Sequence, residues 1–103
     1  MKEQKPAEGR RPAGSRLQAV VHGRVQGVSF RYYAQRRAAE LRLTGYVRNL
    51  WDGSVEVLAE GNRADLEEFL AFLHVGPRSA FVTQVDTQWS TATNAFERFE
   101  VRY

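Results

Sequence analysis

The sequence contains no cysteine among its 103 residues. This absence excludes disulfides, thiolate metal sites and cysteine nucleophiles, and it leaves the redox compartment undetermined. Lysine is rare as well. The sequence has two lysines, Lys2 and Lys5, and both lie within the first fifteen residues. Residues 16–103 therefore offer no amine for Schiff-base or amine-nucleophile chemistry.

Long hydrophobic runs are also missing. No stretch approaches the roughly 20 apolar residues of a membrane span, and no apolar segment of a signal peptide follows the charged start. A hydrophobic fraction of 43% and a charged fraction of 26% are ordinary for a globular domain, and the length suits one domain. We therefore expect a cytoplasmic protein without a membrane partner.

The net charge of +3 favours nucleic-acid binding only if the charge lies on the domain. Residues 1–15 carry four basic and two acidic side chains, whereas residues 16–103 carry eleven arginines and ten acidic residues. The first segment also holds two of the three prolines and has no Leu, Ile, Val or aromatic residue. It is predicted to be a disordered basic tail, followed by one domain over 16–103.

Hydrophobic periodicity predicts five strands and two helices in the domain. The strands are predicted at 17–22, 44–49, 54–59, 81–89 and 96–103. Ser29 is the predicted N-cap of the first helix, whose apolar face combines Phe30, Tyr33, Ala34, Ala38 and Leu41. Asn62, with Asp65 three residues later, is typical of the cap of a second helix.

The element order βαββαβ, completed by a last strand, predicts an α+β fold. The expected architecture is a ferredoxin-like sandwich, an antiparallel sheet with two helices on one face. This topology hosts many unrelated functions, so the fold alone does not indicate an activity.

A loop bounded by Gly23 and Gly27 leads directly into the first predicted helix. Its backbone N–H groups and those of the first helical turn can bind an anion in one concavity. Arg31, in that turn, can donate two parallel hydrogen bonds to a phosphate. The spacing fits neither a Walker A loop nor a dinucleotide loop, and a purely structural loop with an exposed arginine stays equally open.

Two segments resemble the signatures of the acylphosphatase family. The sequence GRVQGVSFR at 23–31 resembles the first signature, and GYVRN at 45–49, with GSV at 53–55 and Gly61, resembles the second. The resemblance covers about 17–103. It implies the ferredoxin-like fold and a small stand-alone enzyme that hydrolyses acyl phosphates to a carboxylate and inorganic phosphate.

The same resemblance implies the site residues. Arg31 is implied to bind the phosphate and act in catalysis, and Asn49 to position the attacking water. The implied backbone cradle runs over Arg24, Val25, Gln26, Gly27, Val28, Ser29 and Phe30. Arg42 stands where the family usually has glycine, and Arg78-Ser79 replaces a common Pro-Gly, which puts the local geometry and stability there in question.

The implied reaction needs few side chains. A carboxylate leaves without a proton, and phosphoryl transfer depends mainly on positioning and charge stabilisation. Asn49 can accept a hydrogen bond from water but cannot take its proton, so we hypothesise that a phosphate oxygen of the substrate does. Because His, Asp and Glu do not cluster, we expect neither a metal nor a cofactor.

Three further residues near the implied site have two possible interpretations each. Trp51 either flanks the acyl group or packs on its own hairpin, Asp52 is a turn residue or a general base, and His22 is incidental or catalytic. An RNA-binding or phosphate-binding regulatory module is the alternative function, although the first and third predicted strands lack aromatic residues that could stack bases. We expect a monomer that acts on small acyl phosphates and binds no nucleic acid.

Overall fold

The computed structural model describes residues 14–103. It contains the five predicted strands and two predicted helices in the predicted order. Their bounds are β1 Ser15–Arg24, α1 Phe30–Glu40, β2 Thr44–Asn49, β3 Val55–Gly61, α2 Arg63–Val75, β4 Phe81–Thr91 and β5 Phe99–Arg102. Strand β1 begins inside the segment predicted as a tail, and residues 1–13 of that tail lie outside the described residues.

The five strands form one sheet in the order β4-β1-β3-β2-β5. The β1–β3, β1–β4 and β2–β3 pairs are antiparallel, but β2 and β5 run parallel. The fold is the expected α+β ferredoxin-like sandwich, and the expectation of an antiparallel sheet was wrong for the last strand.

The connection between β4 and β5 explains the parallel pair. Four strand spacings separate these two edges by about 19 Å, and the residues 92–98 can span about 24 Å at most. A connection of this length can cross the sheet at the end where β4 finishes, but it is too short to run along the strands to the opposite end as well. Strand β5 consequently returns in the direction opposite to β4, which is the direction of β2.

One face of the sheet packs against both helices. In β1 the side chains of Leu17, Ala19 and Val21 are fully buried while Gln18 is exposed, which is the alternation of a sheet with one covered face. The helices contribute the buried residues Phe30, Ala34, Ala38, Leu66, Phe69 and Leu73. Tyr33 is 41% exposed, so its predicted place on the buried face was wrong.

Helix α1 ends in a left-handed residue. Arg42 has a φ of 58°, its backbone N–H donates to Ala39 O at 3.0 Å, and the N–H of Leu43 donates to Ala38 O at 2.9 Å. These two bonds form a Schellman motif, in which glycine is the preferred residue at the left-handed position. The side chain of Arg42 therefore makes this helix end less stable than a glycine would.

Glu60, near the end of β3, anchors the connection that leads to β5. Its side chain is 2% exposed and accepts hydrogen bonds from Arg16 Nε at 2.8 Å, from the N–H of Thr93 at 2.9 Å and from the N–H of Asn94 at 2.9 Å. Burial alone would raise the pKa of Glu60, but these bonds outweigh it and hold the pKa below its ordinary value.

We expect the substitution Arg42→Gly to stabilise the protein. Glycine removes the strain that a side chain causes at a left-handed φ, but it also increases the conformational entropy of the unfolded chain. The first effect is the larger in free energy, so the free energy of unfolding rises by about 0.5–1 kcal/mol. Urea denaturation of the wild type, this variant and Arg36→Gly measures the effect. Arg36 is exposed within α1, where glycine costs about 1 kcal/mol. A destabilised Arg42→Gly variant would contradict the account.

We expect Glu60→Gln to lower the free energy of unfolding at pH 7 by about 1–3 kcal/mol, because the amide replaces a charged acceptor of several hydrogen bonds. The unfolded pKa of glutamate is about 4.3. Above it the carboxylate stabilises the fold, and that contribution is lost as the pH falls through the lower folded pKa. The difference between wild type and variant should therefore narrow below about pH 4.

The matched control for this measurement is Glu67→Gln. Glu67 is an exposed residue of α2 that pairs with Arg63, and we expect a change of about 0.5 kcal/mol or less. Equal effects of the two substitutions at pH 7 would show that the Glu60 network does not stabilise the connection.

Candidate active site

The cradle loop, residues 24–30, leaves the sheet at a bulge. The register between β1 and β4 shifts between His22 and Gly23, and Gly23 has a φ of +124°. A Cβ atom at this position would overlap the carbonyl oxygen of Phe81 in β4. Glycine therefore allows the chain to turn out of β1 while it stays in contact with the neighbouring strand.

The last part of the cradle loop contains two left-handed residues. Gly27 has a φ of +74° and a Cβ there would meet nothing within 4 Å, so its backbone borders open space. Ser29 has φ 62° and ψ 26° and occupies the N-cap position, but its side chain caps no N–H group. The predicted capping role of Ser29 was therefore wrong. Left-handed residues just before a helix N-terminus can direct several N–H groups into one concavity that suits an anion.

Arg31 is oriented by the last residue of β5 and by Tyr103, which follows it. Its Nη1 donates to the carbonyl oxygen of Arg102 at 3.0 Å, and its guanidinium carbon lies 4.5 Å from the centroid of the Tyr103 ring. The hydrogen bond occupies one of the five N–H donors of the guanidinium. The remaining donors are available for a bidentate contact with a phosphate.

Asn49 is the last residue of β2 and pairs with Val55 of β3. The hairpin turn that follows Asn49 is joined to the cradle loop by the side chain of Gln26. Its Nε2 donates to Leu50 O at 2.6 Å and to Ser54 O at 2.8 Å. Both amide hydrogens of Gln26 are thus used to hold the two parts of the site together.

A cavity of about 330 Å³ opens between these segments. Six of the nine predicted site residues line it, namely Val25, Gly27, Ser29, Phe30, Arg31 and Asn49, whereas Arg24, Gln26 and Val28 do not. Gln26 acts on the geometry of the loop, and Arg24 is an exposed residue at the end of β1. The structure thus brings Arg31 and Asn49 to the same cavity, at the N-terminus of α1.

The family comparison identifies one family. Residues 17–101 match the family described as Acylphosphatase. The chain belongs to the acylphosphatase family. Nothing in these matches favours the RNA-binding or regulatory alternative.

The similar proteins cover most of the chain. An acylphosphatase of Salinibacter ruber is 52% identical over 87 residues, which are 84% of this chain and 92% of that protein. An acylphosphatase of Thermus thermophilus is 57% identical over 74 residues, 72% of this chain and 84% of that one. The crystal structure of acylphosphatase from Bacillus subtilis has a TM-score of 0.84 at 37% identity and covers 86% of this chain and 99% of its own.

The other residues near the site do not line the cavity. Asp52 accepts hydrogen bonds from the hydroxyl and N–H groups of Ser54, as a turn residue does. These bonds lower the pKa of Asp52, so its carboxylate is a weak base. His22 hydrogen-bonds Asp86 at 2.9 Å. Trp51 is 98% exposed, which contradicts packing on its own hairpin, and it is not among the residues that line the cavity.

Four lining residues were not among the predicted site residues: Tyr32, Gln35, Val101 and Tyr103. Gln35 lies one helical turn beyond Arg31, which is a signal that the sequence does contain. Val101 and Tyr103 reach the cavity because β5 pairs parallel with β2, and the sequence alone did not predict that pairing.

Residues 14–103 contain neither a metal-ligand cluster nor a membrane-spanning helix. No group of three or more His, Asp or Glu side chains is placed to hold a metal ion there. Neither helix in this range has the length and apolar character needed to cross a bilayer.

We expect Gln26→Glu to impair the family's activity through geometry. A carboxylate cannot donate to the carbonyl oxygens of Leu50 and Ser54 and is repelled by them, so the cradle loop and Asn49 separate. A misplacement of about 1 Å can lower kcat up to about a hundredfold, and we expect a loss of at least about tenfold. Steady-state hydrolysis of benzoyl phosphate measures it.

The control is Gln18→Glu, an exposed position in β1 outside the cavity. It introduces the same charge, and we expect wild-type rates. If both variants retained wild-type kcat and KM, the coupling role of Gln26 would be wrong.

Proposed function

We propose that the chain hydrolyses the carboxyl–phosphate bond of acyl phosphates to a carboxylate and inorganic phosphate, with Arg31 and Asn49 as catalytic residues. The observation that carries this proposal is that both side chains line one cavity at the N-terminus of α1. Membership of the acylphosphatase family supports the same reaction.

The phosphate is bound by the cradle loop and Arg31. The N–H groups at the start of α1 carry partial positive charge, and the first turn holds no acidic residue that would compete for them. Arg31 adds a full positive charge that persists at any relevant pH. Donors fixed before the reaction stabilise the charge on the equatorial phosphate oxygens in the transition state.

Asn49 positions the nucleophilic water. Its amide oxygen accepts a hydrogen bond from the water, which directs a lone pair toward phosphorus for in-line attack. An amide cannot act as a general base, so the contribution of Asn49 lies in orientation and falls mainly on kcat.

The proton of the water passes to a phosphate oxygen of the substrate. Among the residues that the structure describes, none of those lining the cavity is a His, Asp or Glu that could take it. The carboxylate departs without protonation, because it is a stable anion and a good leaving group. The route therefore needs neither a general acid nor a general base from the protein.

The remaining features are narrower proposals. Action as a monomer stays a prediction. The cavity of about 330 Å³ suits a small-molecule acyl phosphate. A cytoplasmic location and the absence of a nucleic-acid partner stay predictions.

Substitution of the two catalytic residues should separate their roles. We expect Arg31→Ala to lower kcat/KM by about 10³-fold and to weaken competitive inhibition by inorganic phosphate in parallel, because one charged donor is lost. We expect Asn49→Ala to lower kcat by about 10²-fold while phosphate inhibition changes little. Phosphate release from benzoyl and acetyl phosphate measures both.

Arg36→Ala is the matched control, since Arg36 lies on the same helix, is exposed and lies outside the cavity. It should behave as wild type. Wild-type rates in either Arg31→Ala or Asn49→Ala would refute the assigned role, and no phosphate release by the wild-type protein would refute the proposed function.

A further inference from the structure

The lining of the cavity falls into two parts. The phosphate chemistry uses the cradle loop, Arg31 and Asn49. The second part, which we call the aromatic wall, consists of Tyr32, Val101 and Tyr103, and no step of the proposed hydrolysis uses it. Tyr32 is 55% exposed and Tyr103 is also exposed, so both rings keep apolar surface in contact with solvent.

The cavity is larger than the phosphate requires. If each of the five heavy atoms of a phosphate took the roughly 30 Å³ of a liquid water molecule, the group would fill about 150 Å³. That is less than half of the available 330 Å³. The aromatic wall belongs to the same lining, and the acyl group, bonded directly to the phosphate, is the part of the substrate that can occupy the remaining space.

We propose that the aromatic wall is an acyl-group subsite that favours acyl phosphates with an aromatic acyl group over those with a small aliphatic one. This inference rests on the proposed function. An aromatic acyl group can pack against Tyr32 and Val101, and Tyr103 presents a second ring to it. Aromatic pairs in offset or edge-to-face contact contribute beyond the burial of apolar area.

Charge around the aromatic wall supports an uncharged acyl group. Within residues 14–103, Arg31 is the one charged side chain among those lining the cavity, and the phosphate engages it. The amide nitrogen of the neighbouring Gln35 donates to the carbonyl oxygen of Phe99 at 3.4 Å. A second anionic group on the substrate would therefore lose hydration without gaining a cation.

The orientation of Tyr32 is supported by its neighbour. The ring of Tyr33 contacts the ring of Tyr32 edge-on, with centroids 5.0 Å apart and planes at 80°. Tyr103 has a second role because its ring lies against the guanidinium of Arg31. Tyr32 is thus the residue whose substitution tests the subsite with the least effect on phosphate binding.

The test compares kcat/KM for benzoyl phosphate and acetyl phosphate. We expect the wild type to prefer benzoyl phosphate, and Tyr32→Ala to lower the benzoyl-to-acetyl ratio about three- to tenfold. Tyr32→Phe, which keeps the ring, should keep the ratio. Tyr103→Ala should lower both rates and the ratio, because this residue contacts Arg31 as well.

Trp51→Ala is the control, since Trp51 is an exposed aromatic residue close in sequence to Asn49 but outside the cavity lining. The benzoyl-to-acetyl ratio of kcat/KM in Trp51→Ala should equal that of the wild type. A ratio unaffected by Tyr32→Ala, or lowered equally by Trp51→Ala, overturns the subsite while hydrolysis itself stands. A wild type that hydrolyses neither compound refutes the proposed function, and the subsite with it.

Discussion

The two hydrogen bonds from the Gln26 amide to the carbonyl oxygens of Leu50 and Ser54 hold the site together. The cradle loop follows β1 and Asn49 ends β2, and these strands are separated in the sheet by β3. Backbone pairing within the sheet therefore connects the loop to Asn49 only indirectly, through β3. The Gln26 side chain supplies a direct connection, and in the proposed function the phosphate and the nucleophile depend on it for their relative placement.

Arg31 depends on a different part of the fold. Its hydrogen bond to Arg102 and its contact with Tyr103 require that β5 lie beside β2, next to α1. Strand β5 reaches that edge through the connection 92–98, which the buried carboxylate of Glu60 anchors. The orientation of Arg31 is thus linked to a buried hydrogen-bond network at the connection, and the stability of that network weakens in acid.

Much of this arrangement could be predicted from local residues. The apolar periodicity indicated the elements and the fold, and the glycine-bounded loop before Arg31 suggested an anion site. The catalytic roles proposed for Arg31 and Asn49 came from the resemblance of 23–31 and 45–49 to the family signatures. Arg42 was singled out where glycine is usual, and its φ of 58° gives the physical reason. The predicted capping role of Ser29 was wrong. Serine is a common N-cap residue, but here the backbone of Ser29 is left-handed and forms part of the cradle loop. The aromatic wall and the parallel β5 required long-range pairing, which local patterns do not specify.

Backbone N–H groups at the start of α1, together with Arg31, are proposed to bind the phosphate. The most direct measurement is a titration with inorganic phosphate followed by the backbone amide resonances in NMR. If the phosphate binds there, saturable shifts should be concentrated at residues 25–31 and at Asn49, and they should be lost in Arg31→Ala. Shifts concentrated on the uncovered face of the sheet, around Gln18 and Asp86, would contradict this proposal.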